Sequence, residues 1–398
     1  MRRLVVKSSH NSKLQLIFLL CFTVQGFFIL HQHFSGDISY SSSFWQGHGS
    51  SRGLAVTEEP GIADVYIKTV KSVLHAHVTE QHPRQPLSSE RIPEADPSIW
   101  SLSIDDLVKT GNATASQCDS RLTYMEDVVV PNAWKRKIPK VVHVTGKTRC
   151  LSQPFLQNLN KWKLENHSFY FHDDAAMDRL LQHEHWPEFP QLKMFQNCMV
   201  SGAARADLWR YLLLYRYGGI YTDMDNAPGV DFFHPDDNST IISDDDDAFF
   251  VVEGIGILSQ YFMAASPRHP LLYMAVLQVF SRLLETENIG MQYVPFVTGP
   301  GALKNAYIRF MGEPSDGKVK EGVHVSPANR SITVKGTSRR PNQYVRRNSL
   351  RPIVKRRGYQ LMKMTHFTKA EDISRNISCY LHLYNVANDQ NLSISSRY

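Results

Sequence analysis

Two aspartates stand one residue apart, as Asp223 and Asp225, in the stretch GGIYTDMDN at residues 218–226. Carboxylate oxygens are hard ligands, and a pair at this spacing suits one divalent cation whose remaining ligands come from a phosphorylated substrate and water. The same triplet also suits a plain surface turn. If GIYTDMD is a strand, alternation sends Asp223 and Asp225 to one side and Met224 to the other. Upstream, in ARADLWRYLLLYRY, Asp207 and Arg210 are three residues apart and share a helix face. Charges in so apolar a run are costly unless they are paired or functional. They read either as part of a site for a metal or anionic ligand, or as a partly buried ion pair that orients the helix.

These residues need a frame. IPKVVHV (138–144) reads as a first strand, FLQNLNKWKLENH (155–167) as a helix and SFYFHDD (168–174) as a second strand. AAMDRLLQHE (175–184) is helical, and a longer helix follows, with Ser201 to cap its start and Gly218 or Gly219 to end it. The strand GIYTDMD comes next. AFFVVEGIGI (248–257) and YFMAA (261–265) are strands, and HPLLYMAVLQVFSRLLE (269–285) is a helix. Such alternation predicts an α/β fold. The acidic pair then falls at the carboxyl end of its strand, where open α/β sheets bind ligands. The basic stretch 335–357 reads as a solvated loop, or as a surface for a phosphorylated acceptor or anionic headgroup.

The chain of 398 residues is 42% hydrophobic and 11% aromatic, enough for a sizeable core. Its formal charge of +6 is too modest to indicate a nucleic-acid partner, and none is expected. Arg2, Arg3, Lys7 and Lys13 precede the uncharged run LQLIFLLCFTVQGFFIL, and the next basic residue after it is Arg52. This predicts a cytoplasmic tail (1–13), a transmembrane signal-anchor (14–31) and a lumenal remainder, with a cleaved signal peptide as the rival reading. A Ser-, His- and Pro-rich stem (32–130), a catalytic domain (131–385) and a tail (386–398) complete the expected organisation. Five sequons, at Asn112, Asn166, Asn238, Asn376 and Asn391, lie on the lumenal side. There, Cys118, Cys150, Cys198 and Cys379 allow two disulfides in three pairings, or remain buried thiols.

ARADLWRYLLLYRYGGIYTDMDN closely resembles the central block of glycosyltransferase family 32, whose sugar-binding region contains a DXD motif. IPKVVHVTGKT (138–148), AASPRHPLL (264–272) and VTGP (297–300) match further family segments in order, so the likeness covers about 135–305. It implies a GT-A type nucleotide-diphospho-sugar transferase fold as a single catalytic domain. It further implies a retaining reaction with a divalent ion, Mn²⁺ or Mg²⁺, on Asp223 and Asp225. Asp207 and Arg210 would then grip the donor sugar and its phosphate side, with Arg205 a weaker candidate. His143 and Thr145 would lie beside the nucleotide, His143 either touching it or serving structurally. Thr298, Gly299 and Pro300 would shape the acceptor side, and Asn226 would assist the pair or make a turn. His366 matches a late family histidine that helps bind the metal, but the tryptophan that accompanies it there is absent here.

The anchored architecture resembles Golgi mannosyltransferases. It implies a single-pass type II Golgi membrane protein using GDP-mannose and a glycan or glycolipid acceptor, able to associate with other glycosyltransferases. A UDP-sugar-dependent galactosyl- or N-acetylglucosaminyltransferase is the alternative. An inactive glycan-binding domain and a metal-dependent hydrolase built on His143, His172 and Asp173 are more distant readings.

Overall fold

The computed structural model describes residues 102–109, 118–131, 136–190, 192–195, 198–199, 201–252, 256–286, 294–312, 318–336 and 343–347. The expected tail, anchor, most of the stem, the C-terminal tail and His366 lie outside these residues. Among the described residues, no helix is long and apolar enough to cross a membrane.

A seven-stranded mixed sheet organises the described chain. Its strands are β1 (Val141–Thr145), β2 (Ser168–His172), β3 (Gly219–Asp223), β4 (Ala248–Val252), β5 (Leu258–Ala265), β6 (Gly322–Val325) and β7 (Ser331–Lys335). They lie in the order β2-β1-β3-β5-β4-β7-β6. β1 runs parallel to both β2 and β3, whereas β5 pairs antiparallel with β3 and with β4. The first strand begins and ends slightly later than its sequence suggests. β6 and β7 come from a region where the sequence offered no clear pattern.

Both faces of the sheet are covered across β1 to β5, which is why these strands read as nearly continuous apolar runs, whereas β6 at the edge is largely exposed. The main helices are α1 (Gln153–Leu159), α2 (Gly202–Tyr217), α3 (Pro270–Glu285) and α4 (Pro300–Met311). Leu208 and Leu212 of α2, Val276 of α3 and Leu303 of α4 form one apolar layer with Tyr221, Phe250 and Met263. On the other face, Val142, Ile220, Phe249 and Ala264 pack with Leu156, Trp162 and Phe232. Phe249 and Phe250 thus enter opposite layers, as strand alternation requires.

α2 begins where Ser201 accepts a hydrogen bond from the Ala204 N–H at 3.2 Å, and it ends at Gly218. Gly218 and Gly219 have φ of 65° and 94°, a region that disfavours a Cβ. A Cβ on Gly218 would lie 2.7 Å from Pro267 Cδ and 2.8 Å from the Ala265 carbonyl oxygen; one on Gly219 would lie 2.7 Å from the Val141 carbonyl oxygen. Glycine is therefore required twice to pass directly from α2 into β3.

Of the pairings open to the cysteines, Cys118 is joined to Cys150, beside the short ribbon in which Thr123–Tyr124 pairs with Cys150–Leu151. Cys198 is disulfide-bonded as well. The basic stretch departs from a purely solvated loop, because Val345–Arg346 pairs antiparallel with Ala227–Pro228 and Val345 is fully buried.

Candidate functional site

β1 and β3 deliver their carboxyl ends side by side, with Thr145 in register with Asp223. Tyr221 and Asp223 point to the α2 side of the sheet. There the helix presents Asp207 and Arg210, both nearly buried at 6% and 8% exposure. Arg210 Nη2 lies 3.2 Å from Asp207 Oδ1, and Nη1 donates to Asp223 Oδ1 at 3.0 Å. The guanidinium stacks 4.7 Å from the Tyr221 ring centroid. It also donates to the carbonyls of Gln260 and Ala206, each at 3.2 Å. Nε and both Nη1 hydrogens are thus committed to protein acceptors, which leaves one Nη2 hydrogen for anything else. Arg210 thus fixes two carboxylates from two elements, with that one hydrogen left for the expected grip on a phosphate.

Asp223 is held on one side only. Arg210 and the Tyr221 hydroxyl (2.7 Å) both donate to its Oδ1. Among the described residues neither reaches Oδ2, and the side chain is one-third exposed, at 34%. Asp225 does not continue the strand. β3 stops at Asp223, and the Asn226 N–H closes a turn onto the Asp223 carbonyl at 3.1 Å. The cause is Asn226, which is fully buried. Its side chain donates to the Tyr261 carbonyl at 2.9 Å. Its own carbonyl accepts from Trp162 Nε1 at 3.1 Å and from the Asn158 side chain. Asn226 is therefore the turn residue, and Asp225 sits on the turn instead of two residues further along the strand. The two carboxylates still share a neighbourhood: burial first, then the charge of Asp223, push the Asp225 carboxyl up.

These groups fit a divalent cation. Two carboxylates crowd one turn, one oxygen of Asp223 faces away from its protein donors, and a cation would relieve the repulsion between them. No group of three or more His, Cys, Asp and Glu suited to a metal occurs among the described residues. The pair thus matches the case in which one or two carboxylates hold the ion and substrate phosphates complete its shell.

Asp207 is oriented from a second direction. Thr298 Oγ1 donates to Asp207 Oδ2 at 2.8 Å, while the Thr298 carbonyl accepts from Gln260 Nε2 at 3.3 Å and Tyr211 Oη at 3.2 Å. Thr298 is fully buried, so it orients Asp207 from within the protein. Gly299 and Pro300 start α4. Gln260 and Tyr211 escaped the sequence reading. The available signal was a lone amide within the apolar strand LSQYFMAA.

Burial pushes the Asp207 carboxyl up to about 6, against the pull of Arg210 and Thr298. Between the unfolded value near 3.8 and about 6, the folded state binds the extra proton. Stability of the metal-free protein is therefore expected to fall as pH rises through that window, by up to about 3 kcal/mol. Melting curves from pH 4 to 7 should show the slope in the parent chain and lose it in Asp207→Asn. An unchanged slope in that variant would refute the assignment.

Of the two roles open to His143, its surroundings are those of a structural histidine. It is fully buried, with Nε2 3.2 Å from the Gly218 carbonyl and Nδ1 3.0 Å from His172 Nε2. Burial lowers its pKa to about 3, so it is neutral: Nε2 donates to Gly218 and Nδ1 accepts from His172. His172 in turn packs edge-on against Trp209. The histidines tie β1 and β2 to the end of α2, which leaves no water-activating base of the kind a hydrolase built on His143 and His172 would need. Thr145 is half-buried at the end of β1 and donates to the His172 carbonyl at 2.9 Å. Arg205 pairs with Asp178 instead of joining the cluster.

Residues 132–245, which contain Asp207, Arg210, Asp223 and Asp225, match the family model described as "Glycosyltransferase sugar-binding region containing DXD motif". Among curated proteins, "Inositol phosphoceramide mannosyltransferase 1" of Schizosaccharomyces pombe is 24% identical over 187 residues, covering 45% of this chain and 54% of that protein. The chain thus spans about half the length of the curated relative it matches. Among solved structures, "PaToxG Glycosyltransferase" is similar over 62% of this chain and 86% of its own, at 14% identity and a TM-score of 0.33. This chain therefore carries an α/β glycosyltransferase-type domain with a DXD sugar-binding region, distantly related to a mannosyltransferase.

Proposed function

We propose that this domain transfers a hexose, mannose from GDP-mannose, to a hydroxyl of a glycan or glycolipid, with retention at the anomeric carbon. The observation that carries the reading is the single ion-pair network joining Asp207 of α2, through Arg210, to Asp223 at the end of β3. It holds Asp207 and Asp223 on one frame, which supports reading the first as an acceptor for sugar hydroxyls and the second as a cation ligand. The choice of mannose is supported by the name of the curated relative, a mannosyltransferase that acts on inositol phosphoceramide.

In this reading Asp223 and Asp225 hold Mn²⁺ or Mg²⁺, which when bound offsets the negative charge that develops on the departing diphosphate. Asp207, fixed by Arg210 and Thr298, accepts hydrogen bonds from donor-sugar hydroxyls with its remaining lone pairs. Thr145 stands next to Asp223 on the neighbouring strand, at the nucleotide side. The bond from the anomeric carbon to the phosphate oxygen breaks as the acceptor oxygen bonds on the same face. The acceptor's proton goes to the departing phosphate oxygen, so no protein base is required. The segment 14–31 is assigned as a type II anchor, with the catalytic domain in the Golgi lumen.

A thermal-shift panel tests the reading with GDP-mannose, UDP-galactose, UDP-N-acetylglucosamine and UDP-glucose, each with and without Mn²⁺. Stabilisation by GDP-mannose only when Mn²⁺ is present is the expected result. Selective stabilisation by a UDP-sugar would replace the donor, and no response to any of the four would overturn the reading.

A further inference from the structure

The basic segment returns to the edge of the aspartate turn. Val345–Arg346 pairs with Ala227–Pro228, two residues beyond Asp225, and the Gly229 N–H donates to the Tyr344 carbonyl at 2.8 Å. Val345 is fully buried in the layer that holds Trp162 and Phe262, and Tyr344 packs against the same layer. The fold therefore sets where residue 347 stands. From that position the exposed Arg347 lays its guanidinium 4.7 Å from the centroid of the Tyr261 ring. The Tyr261 carbonyl accepts the Asn226 side-chain N–H, so this platform is fastened to the residue that makes the aspartate turn. Arg210, the other cation of the cluster, is buried and mostly committed to protein acceptors.

We propose that Arg347 is a further donor-binding residue: seated beside the aspartate turn by its strand and by the Tyr261 ring, it takes the phosphate oxygens of a nucleoside diphosphate once a divalent cation sits on Asp223 and Asp225. The inference rests on the glycosyltransferase reading and extends it to a residue about 120 positions beyond the DXD motif. Guanidinium and phosphate match as charge-assisted, bidentate partners. Stacking on Tyr261 restrains the long side chain, so little freedom is lost when it binds. The arrangement also couples two ligands. A cation on the aspartate turn and the guanidinium seated beside that turn carry like charge; with diphosphate present, cation and arginine share the anion. Metal and nucleotide should therefore bind with positive cooperativity.

Calorimetric titration of the folded chain with Mn²⁺ alone, and with GDP or UDP at saturating Mn²⁺, separates this role from a structural one. Arg347→Gln is expected to bind Mn²⁺ alone at least as tightly as the parent, yet to bind the nucleoside diphosphate about ten- to a hundred-fold more weakly. Arg346→Gln, also exposed and paired through its backbone, should change neither. Loss of both affinities together in Arg347→Gln, with a lowered melting temperature, would mean a structural role and overturn the inference. Unchanged diphosphate affinity would overturn it as well. If the parent chain itself fails to bind GDP or UDP with Mn²⁺, the glycosyltransferase reading falls and the inference with it.

Discussion

Asp225→Asn is expected to lower sugar transfer about a hundred- to a thousand-fold, the size of effect seen when one preorganised electrostatic group is removed. The same change should leave the melting temperature of the metal-free protein unchanged or slightly higher. The opposite signs follow from one observation. Burial and Asp223 both penalise ionised Asp225, so the folded protein gains nothing from that charge until a cation arrives. Asparagine keeps the shape and removes the repulsion. Adding Mn²⁺ should then raise the melting temperature of the parent and not of the variant. Asp223→Asn should lose activity in the same way, while Arg210 and Tyr221 keep an acceptor. Substantial activity in either variant, measured with the donor that the thermal-shift panel selects, would sink the assignment of the pair.

Arg210→Met is the largest expected stability loss at the site, about 3–5 kcal/mol, because breaking a buried ion pair strands the remaining charge. Asp207 would be left nearly buried without its principal counter-charge, and Asp223 would lose one of the two donors on its Oδ1. Activity should vanish with it. Pairing Arg210→Met with Asp207→Asn removes the stranded charge, so urea unfolding should show most of the stability restored while transfer stays abolished. That non-additivity is the signature of two contacting groups. If the single variant unfolds at the parent's urea concentration, Arg210 does not organise the cluster.

The parts of the site built from nearby residues were legible in the sequence. Ser201 marked the start of α2, Gly218 or Gly219 its end, and the three-residue spacing put Asp207 and Arg210 on one face. What could not be read depends on distant chain. The strand stops at Asp223 because Asn226 is buried under Trp162 and Asn158, and nothing within GGIYTDMDN reports those partners. Thr298 reaches Asp207 across 91 residues. Its Thr-Gly-Pro context suggested a turn without indicating which side chain the hydroxyl would meet. His143 was open to a ligand contact or a structural place, and only the three-dimensional packing of β1, β2 and α2 reveals that it is sealed in. Arg347 was hidden by composition: a run of arginines reads as solvated, and the single apolar Val345 that anchors it carries too little pattern to stand out.

The two glycines between α2 and β3 have a mechanical consequence. With no room for a Cβ at either position and no residues to spare between helix and strand, the joint has no slack. Asp207, Arg210 and Asp223 therefore travel as one rigid body. In the proposed transfer, any opening that admits a donor must therefore come from elements other than α2 and β3. The slowest-exchanging amides of the molecule should accordingly cluster around Gly218 and Gly219, at the hub about which the rest of the protein breathes.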